Sequence, residues 1–143
     1  MKEINFNQIS EAYAVYLHWF QKFNKYEFNS KEMPSYYILN NIFSSFLAEI
    51  GLKALIAYEN KVIKADHSLD SLFNLLSSEY QNNIAELMEY EFTELEKKLK
   101  ENAEHFEKWR YYYELGASSF DIQFMNKLLM TIAEILKVLK DRN

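Results

Sequence analysis

Few side chains in this sequence could carry acid–base or phosphate chemistry. The chain has three histidines, His18, His67 and His105, two arginines, Arg110 and Arg142, and no cysteine. A histidine can move a proton near neutral pH and an arginine can stabilise charge on phosphate oxygens, so an Arg–His pair would suit RNA cleavage. The lack of cysteine excludes disulfides and thiolate metal ligands. The sequence also has no HExxH pattern or carboxylate–histidine pair at helical spacing, so we predict no metal and no cofactor.

Arg110 is the strongest candidate binding residue because it lies in an aromatic-rich segment, between Trp109 and Tyr111. Two interpretations are open. In the first, the guanidinium stacks on an aromatic ring and pairs with an acid such as Glu49 or Glu114. In the second, it contacts a phosphate in a cleft. The residue types favour the first interpretation.

The histidines are explained more simply by structure than by catalysis. His67 stands beside Ser68 at the predicted start of a helix, where it would fix the turn. His105 lies five residues before Arg110, and a site formed by this pair is a weaker hypothesis. His18 falls within an amphipathic helix, where a surface or partly buried structural role is expected.

Length and composition predict one all-α domain covering residues 1–143. Of the 143 residues, 49% are hydrophobic and 26% charged, and two glycines and one proline are too few for the turns of a sheet protein. The net charge of −5 lowers the expectation of RNA or DNA binding. We see no apolar run of about 20 residues and no secretory signal, which predicts a cytoplasmic protein without a membrane segment.

Hydrophobic periodicity predicts about five helices in an up-and-down bundle. The predicted elements are a helix near 5–27, a helix over 35–59, a short helix capped by Ser68 or Asp66, a long pattern from Tyr80 to Leu99, and a final helix beginning near Ser118 or Ser119.

The apolar stripes of these helices predict the core. Gly51 costs about 1 kcal/mol inside the second helix, which indicates a close helix–helix approach as compensation. The residues expected to face inward are, on the first helix, Phe6, Ile9, Tyr13, Tyr16, Phe20 and Phe23; on the second, Leu39, Ile42, Phe43, Phe46, Leu47, Ile50, Ala54, Leu55 and Ala57; and on the last, Met125, Leu128, Leu129, Ile132, Ile135, Leu136 and Leu139.

Three segments, taken together and in this order, resemble the HEPN domain family. The resemblance covers roughly residues 35–140. Its matching residues are Glu49, Lys53, Ala54 and Leu55 in the first segment, His67, Leu69, Leu72 and Phe73 in the second, and Arg110 and Tyr111 in the third.

The resemblance implies a small helical bundle that often forms a homodimer. Many HEPN proteins are metal-independent ribonucleases of toxin–antitoxin, phage-defence and CRISPR systems, and their active pair is an arginine followed after four to six residues by a histidine. In this chain that spacing after Arg110 reaches Leu115, Gly116 and Ala117, and Arg142 is followed only by Asn143. The family's ribonuclease motif is therefore absent.

We therefore predict a non-catalytic, HEPN-like binding module in a prokaryotic defence, toxin–antitoxin or mobile-element setting. The expected partners are a second copy of the chain and a protein encoded nearby; RNA or a nucleotide is a weaker expectation. The candidate binding residues are Arg110, Trp109, Tyr111, His67 and His105. Two alternatives stay open: a divergent ribonuclease using Arg110 with His67 or His105, and a nucleotide or small-ligand protein with a pocket at Tyr111–Tyr113.

Overall fold

The computed structural model describes residues 5–26, 31, 33–59, 61, 68–102 and 121–142. Within these ranges the chain forms helices and no strands, which confirms the predicted all-α bundle. The helices are α1 (Phe6–Asn24), α2 (Met33–Tyr58), α3 (Leu69–Leu75), α4 (Ser78–Met88), α5 (Phe92–Asn102) and α6 (Ile122–Asp141).

The prediction of a single long helix from Tyr80 to Leu99 is wrong, and the described ranges contain six helices rather than five. Glu89 ends α4 in the left-handed conformation, with φ of 58°. The backbone N–H of Tyr90 donates to the carbonyl of Ala85 at 3.0 Å, which closes the helix end. Neither glycine nor proline marks this turn in the sequence, so the apolar spacing runs through it unbroken.

α1 and α2 pack as an antiparallel pair against α6. Phe6 contacts Tyr58 at one end of the pair, with ring centroids 5.0 Å apart, while Phe23 contacts Phe43 nearer the other end at 6.0 Å. The Tyr13 hydroxyl crosses to α6 and donates a 2.6 Å hydrogen bond to a buried backbone carbonyl. Burial raises the pKa of Tyr13 far above its usual range, so this hydroxyl stays protonated.

Gly51 of α2 faces side chains of both α1 and α6. A Cβ atom at this position would lie 2.7 Å from Cγ2 of Ile132 and 2.8 Å from Cε2 of Tyr13. Real Cβ atoms essentially never approach other heavy atoms so closely. The predicted close helix–helix approach is therefore confirmed, and glycine is required here for space.

The core draws buried apolar side chains from all six helices. Every inward residue predicted for the last helix is buried. The helix begins at Ile122 rather than near Ser118 or Ser119, and its N-cap is Asp121, which accepts a hydrogen bond from Phe124 N–H. α2 is the central helix of the bundle, in contact with α1, α3 and α6, and its buried side also holds the polar residues Asn40, Ser44 and Ser45.

α2 has the length and composition of a membrane-spanning helix, contrary to the expectation from the sequence. The segment Ile38–Tyr58 reaches a mean hydropathy of 1.2 within the part of the chain that the structure describes, and 56% of it is buried inside the bundle. The core helix of a soluble protein can have the same length and mean hydropathy. The predicted cytoplasmic location stays a prediction.

Candidate interaction surface

The candidate binding residues from the sequence fall outside the described ranges. These are His67, His105, Trp109, Arg110 and Tyr111. The hypothesis of a site formed by Arg110 and a histidine therefore stays a prediction. The described residues instead show how the end of α5 meets the start of α6. They also show a surface that the sequence did not predict.

The chain leaves α5 and enters α6 at a single corner of the bundle. The backbone N–H of Asp121 donates to Oδ1 of Asn102 at 3.4 Å, and Nζ of Lys98 lies 3.0 Å from Oδ2 of Asp121. Hydrogen bonds from Phe124 N–H and then from Lys98 lower the pKa of Asp121. The same contact with Asp121 raises the pKa of Lys98. Both groups are therefore charged near neutral pH, and their pairing holds this corner together.

The structure describes two further side chains named in the sequence analysis, His18 and Glu49. His18 is exposed on α1, with its ring centroid 5.8 Å from that of Trp19. Glu49 is buried on α2 and pairs with Lys53 one turn later, at 2.6 Å between Oε1 and Nζ. The geometry is that of a helix-stabilising charge pair between residues one turn apart.

A contiguous apolar surface covers the outer side of the α1–α2 pair. We call it the α1–α2 aromatic face. Its exposed fractions range from 38% for Phe46 to 62% for Trp19. Isolated exposed apolar residues are common on proteins, whereas a contiguous patch of large ones marks an interaction site. The face consists of Val15, Tyr16, Trp19, Leu39, Phe43 and Phe46.

Ring contacts between the two helices hold this face in one arrangement. Tyr16 of α1 and Phe46 of α2 have ring centroids 6.0 Å apart. One to two turns further along α1, Phe23 lies against both Phe43 and Tyr36, at 6.0 and 5.6 Å. Such aromatic pairs stabilise their geometry beyond the area they bury. A partner would therefore meet a surface that is already ordered.

The sequence prediction that these residues belong to the core is wrong for Tyr16, Leu39, Phe43 and Phe46. The apolar residues of α2 cover more than half of its circumference, and a helix in a bundle of this size is not enclosed on all sides. Asn40, Ser44 and Ser45 occupy part of the side that faces inward. Leu39, Phe43 and Phe46 therefore point outward because α2 is rotated relative to the expectation. Tyr16 of α1 lies against Phe46 on the same outer side.

The face is electrically neutral along both helices. Positions 12–21 and 33–48 contain no Asp, Glu, Lys or Arg, although 26% of the chain is charged. At its edge, Nζ of Lys22 lies 5.2 Å from the centroid of the Trp19 ring, a cation–π contact. An apolar centre with charges at its rim is the composition of an interface core.

Metal-ligand clusters and similarity to known proteins give no further indication of function. Within the part of the chain that the structure describes, no group of three or more His, Asp or Glu side chains could hold a metal ion. In the comparisons with known proteins, no family model, no curated protein and no solved structure matches this chain.

Proposed function

We propose that this protein is a non-catalytic helical binding module that forms a homodimer through its α1–α2 aromatic face. The resemblance to the HEPN family supplies the proposed setting, a prokaryotic defence, toxin–antitoxin or mobile-element system. In such a setting the dimer would bind a further protein encoded nearby. The observation that carries the proposal is the exposed, neutral aromatic surface.

The area of the face supports an interface of ordinary size. A whole aromatic side chain buries about 150–250 Å², so four aromatic and two smaller aliphatic side chains that are each about half exposed offer on the order of 500 Å² per protomer. Stable interfaces bury about 800 Å² per partner, and the small and polar residues between the aromatic rings would supply the remainder. Leaving this much ordered apolar surface in water is unfavourable.

Charge favours a second copy of the chain as the occupant. A two-fold interface places each surface against its own copy, so any charge near its centre would face a like charge. The chain carries a net charge of −5, but positions 12–21 and 33–48 contribute none of it. Two copies can therefore meet through this face without placing acids opposite acids. A charged partner bound by electrostatic attraction would require charged residues of the opposite sign on this face.

The first experiment measures mass in solution by light scattering or sedimentation at micromolar concentration. We expect about 34 kDa for the wild type, twice the chain mass of 17.2 kDa, and about 17 kDa for the double variant Trp19→Glu/Phe43→Glu. Both positions are exposed, so the variant should keep its helical circular dichroism. The matched control is Leu87→Glu/Val138→Glu, which changes exposed apolar residues of α4 and α6 and should stay dimeric.

Two results would count against the proposal. A wild-type monomer at micromolar concentration, or a face variant that dimerises as well as the control, would reject the homodimer. Metal-free cleavage of RNA by the purified protein, lost in Arg110→Ala, would reject the non-catalytic assignment and favour the divergent ribonuclease.

A further inference from the structure

A second surface feature lies on the opposite side of α1 from the aromatic face. It is an open cleft of about 390 Å³ between the C-terminal half of α1 and the N-terminal half of α6. Its walls meet where Nε2 of Gln21 lies 3.4 Å from Sδ of Met130, a contact between residues 109 positions apart. Small-molecule sites commonly have volumes of about 300–1,000 Å³. The cleft is therefore of a size to bind one small molecule.

The floor of the cleft is apolar. Leu17, Phe20 and Leu129 line it, and all three are buried core side chains whose edges form the cleft surface. Met130, which is exposed, extends this apolar lining toward the rim. A ligand seated on this floor would place a hydrocarbon or aryl group against it, because only such a group gains from leaving water there.

One donor in the cleft is held in place before any ligand arrives. Oδ1 of Asn24 accepts two hydrogen bonds, at 2.9 Å from the Tyr36 hydroxyl and at 2.7 Å from Nδ2 of Asn40. Both bonds come from α2 and fix the orientation of the Asn24 amide. Its Nδ2 group is then the part of this cleft-lining side chain that can donate to a ligand. A preoriented donor loses little entropy on binding.

The charge of the lining favours an anion. Among the described residues that line the cleft, Lys25 is the one charged side chain and none is acidic. Gln21 and Asn126 add two further amides. The last four carbonyls of α1 would repel an anion. Two of them, those of Lys22 and Phe23, accept hydrogen bonds from the N–H groups of Lys25 and Tyr26 at 3.2 Å, which reduces this repulsion. The polar rim therefore offers amide and ammonium donors to a carboxylate.

We propose that this cleft binds one amphipathic carboxylate, an acid with an aryl or medium-length alkyl body. The apolar body would lie on Leu17, Phe20 and Leu129, and the carboxylate would accept hydrogen bonds from Asn24 Nδ2 and Lys25 Nζ. The proposal does not depend on dimerisation, because the cleft and the α1–α2 aromatic face lie on different sides of α1.

The experiment titrates the full chain with sodium decanoate below its micelle-forming concentration and with decanol, its uncharged counterpart. Two-dimensional NMR follows the side-chain amides of Gln21, Asn24 and Asn126 and the indole N–H of Trp19. We expect saturable shifts of the three amides with decanoate, weaker binding of decanol, and no shift of the indole signal. Movement of the indole alone would place the acid on the aromatic face and overturn the proposal.

Three variants test the site itself. Lys25→Gln should weaken decanoate binding about fivefold, since an exposed ion pair contributes up to about 1 kcal/mol. Asn126→Trp changes an exposed residue and should fill the cleft and abolish binding. The matched control is Lys22→Gln, which removes the same charge from α1 at a position outside the cleft and should leave Kd unchanged. Equal loss in Lys22→Gln and Lys25→Gln, or undiminished binding in Asn126→Trp, would refute the site.

Discussion

Replacing Gly51 by alanine tests the packing at the centre of the bundle. The new methyl group would lie 2.7 Å from Cγ2 of Ile132 and 2.8 Å from Cε2 of Tyr13. Neither neighbour can move freely: both are buried, and the Tyr13 hydroxyl is held by its 2.6 Å bond to the Leu129 carbonyl. The methyl group therefore has no space without a shift of α1 or α6.

The expected effect is the difference between two opposing terms. Overpacking a core costs about 1–3 kcal/mol, and contacts this short place Gly51→Ala near the upper end. Alanine recovers about 1 kcal/mol because it forms helix better than glycine. The free energy of unfolding should therefore fall by about 2 kcal/mol, which lowers Tm by roughly 4–8 °C in a chain of this size.

Urea unfolding followed by circular dichroism measures this loss. Ala57→Gly, at a half-buried position in the last turn of the same helix, measures the propensity term and should cost up to about 1 kcal/mol. Adding Ile132→Ala removes the closer methyl group, so the double variant should lose less stability than the sum of the single variants. If Gly51→Ala is as stable as the wild type or more stable, the close approach of these helices does not exist.

Two further predictions concern helix ends. Asp121→Ala should cost about 1 kcal/mol at neutral pH, because it removes the cap of α6 and the pair with Lys98. The pKa of Asp121 is lower in the folded protein than its ordinary value of 3.8. The ionised carboxylate therefore stabilises the fold fully above the unfolded pKa, and this stabilisation is lost as pH falls through the folded pKa. The gap between wild type and Asp121→Ala, measured by urea unfolding, should narrow below about pH 4; a gap independent of pH would contradict this. Glu89→Gly should raise the unfolding free energy by about 1 kcal/mol, because glycine adopts φ of 58° without strain and the exposed 3.9 Å pair with Lys127 contributes little. A lower Tm for Glu89→Gly would show that Glu89 is not strained.

Local sequence features were enough to predict most of the helices. Regular apolar spacing marked α1, α2 and α6, and the scarcity of glycine and proline excluded a sheet protein. Gly51 indicated a close approach because a helix tolerates glycine at its centre only where something compensates for it. The turn at Glu89 left no such signal, since a glutamate in the left-handed conformation is rare and has no characteristic neighbours.

The candidate site shows where this reasoning stops. The sequence drew attention to Arg110 and its aromatic neighbours, because residue type alone suggests chemistry there. The α1–α2 aromatic face was missed because Tyr16 and Phe43 have the spacing of core residues. The lack of charged residues over 12–21 and 33–48 could have indicated this face, because helices that are partly exposed to water usually carry charges on their exposed side. The cleft beside Lys25 had no signal, since its walls come from opposite ends of the chain.

By itself, the sequence determined the helical class, the approximate position of most helices and the buried side of α6, because these depend on interactions within one or two turns of chain. Only the tertiary structure decided which sides of α1 and α2 are buried. Both helices are apolar around much of their circumference, and burial depends on which neighbours arrive to cover them. Asn40 is buried against α1 while Trp19 faces water, an arrangement that follows from the packing of three helices and from no property of either residue alone.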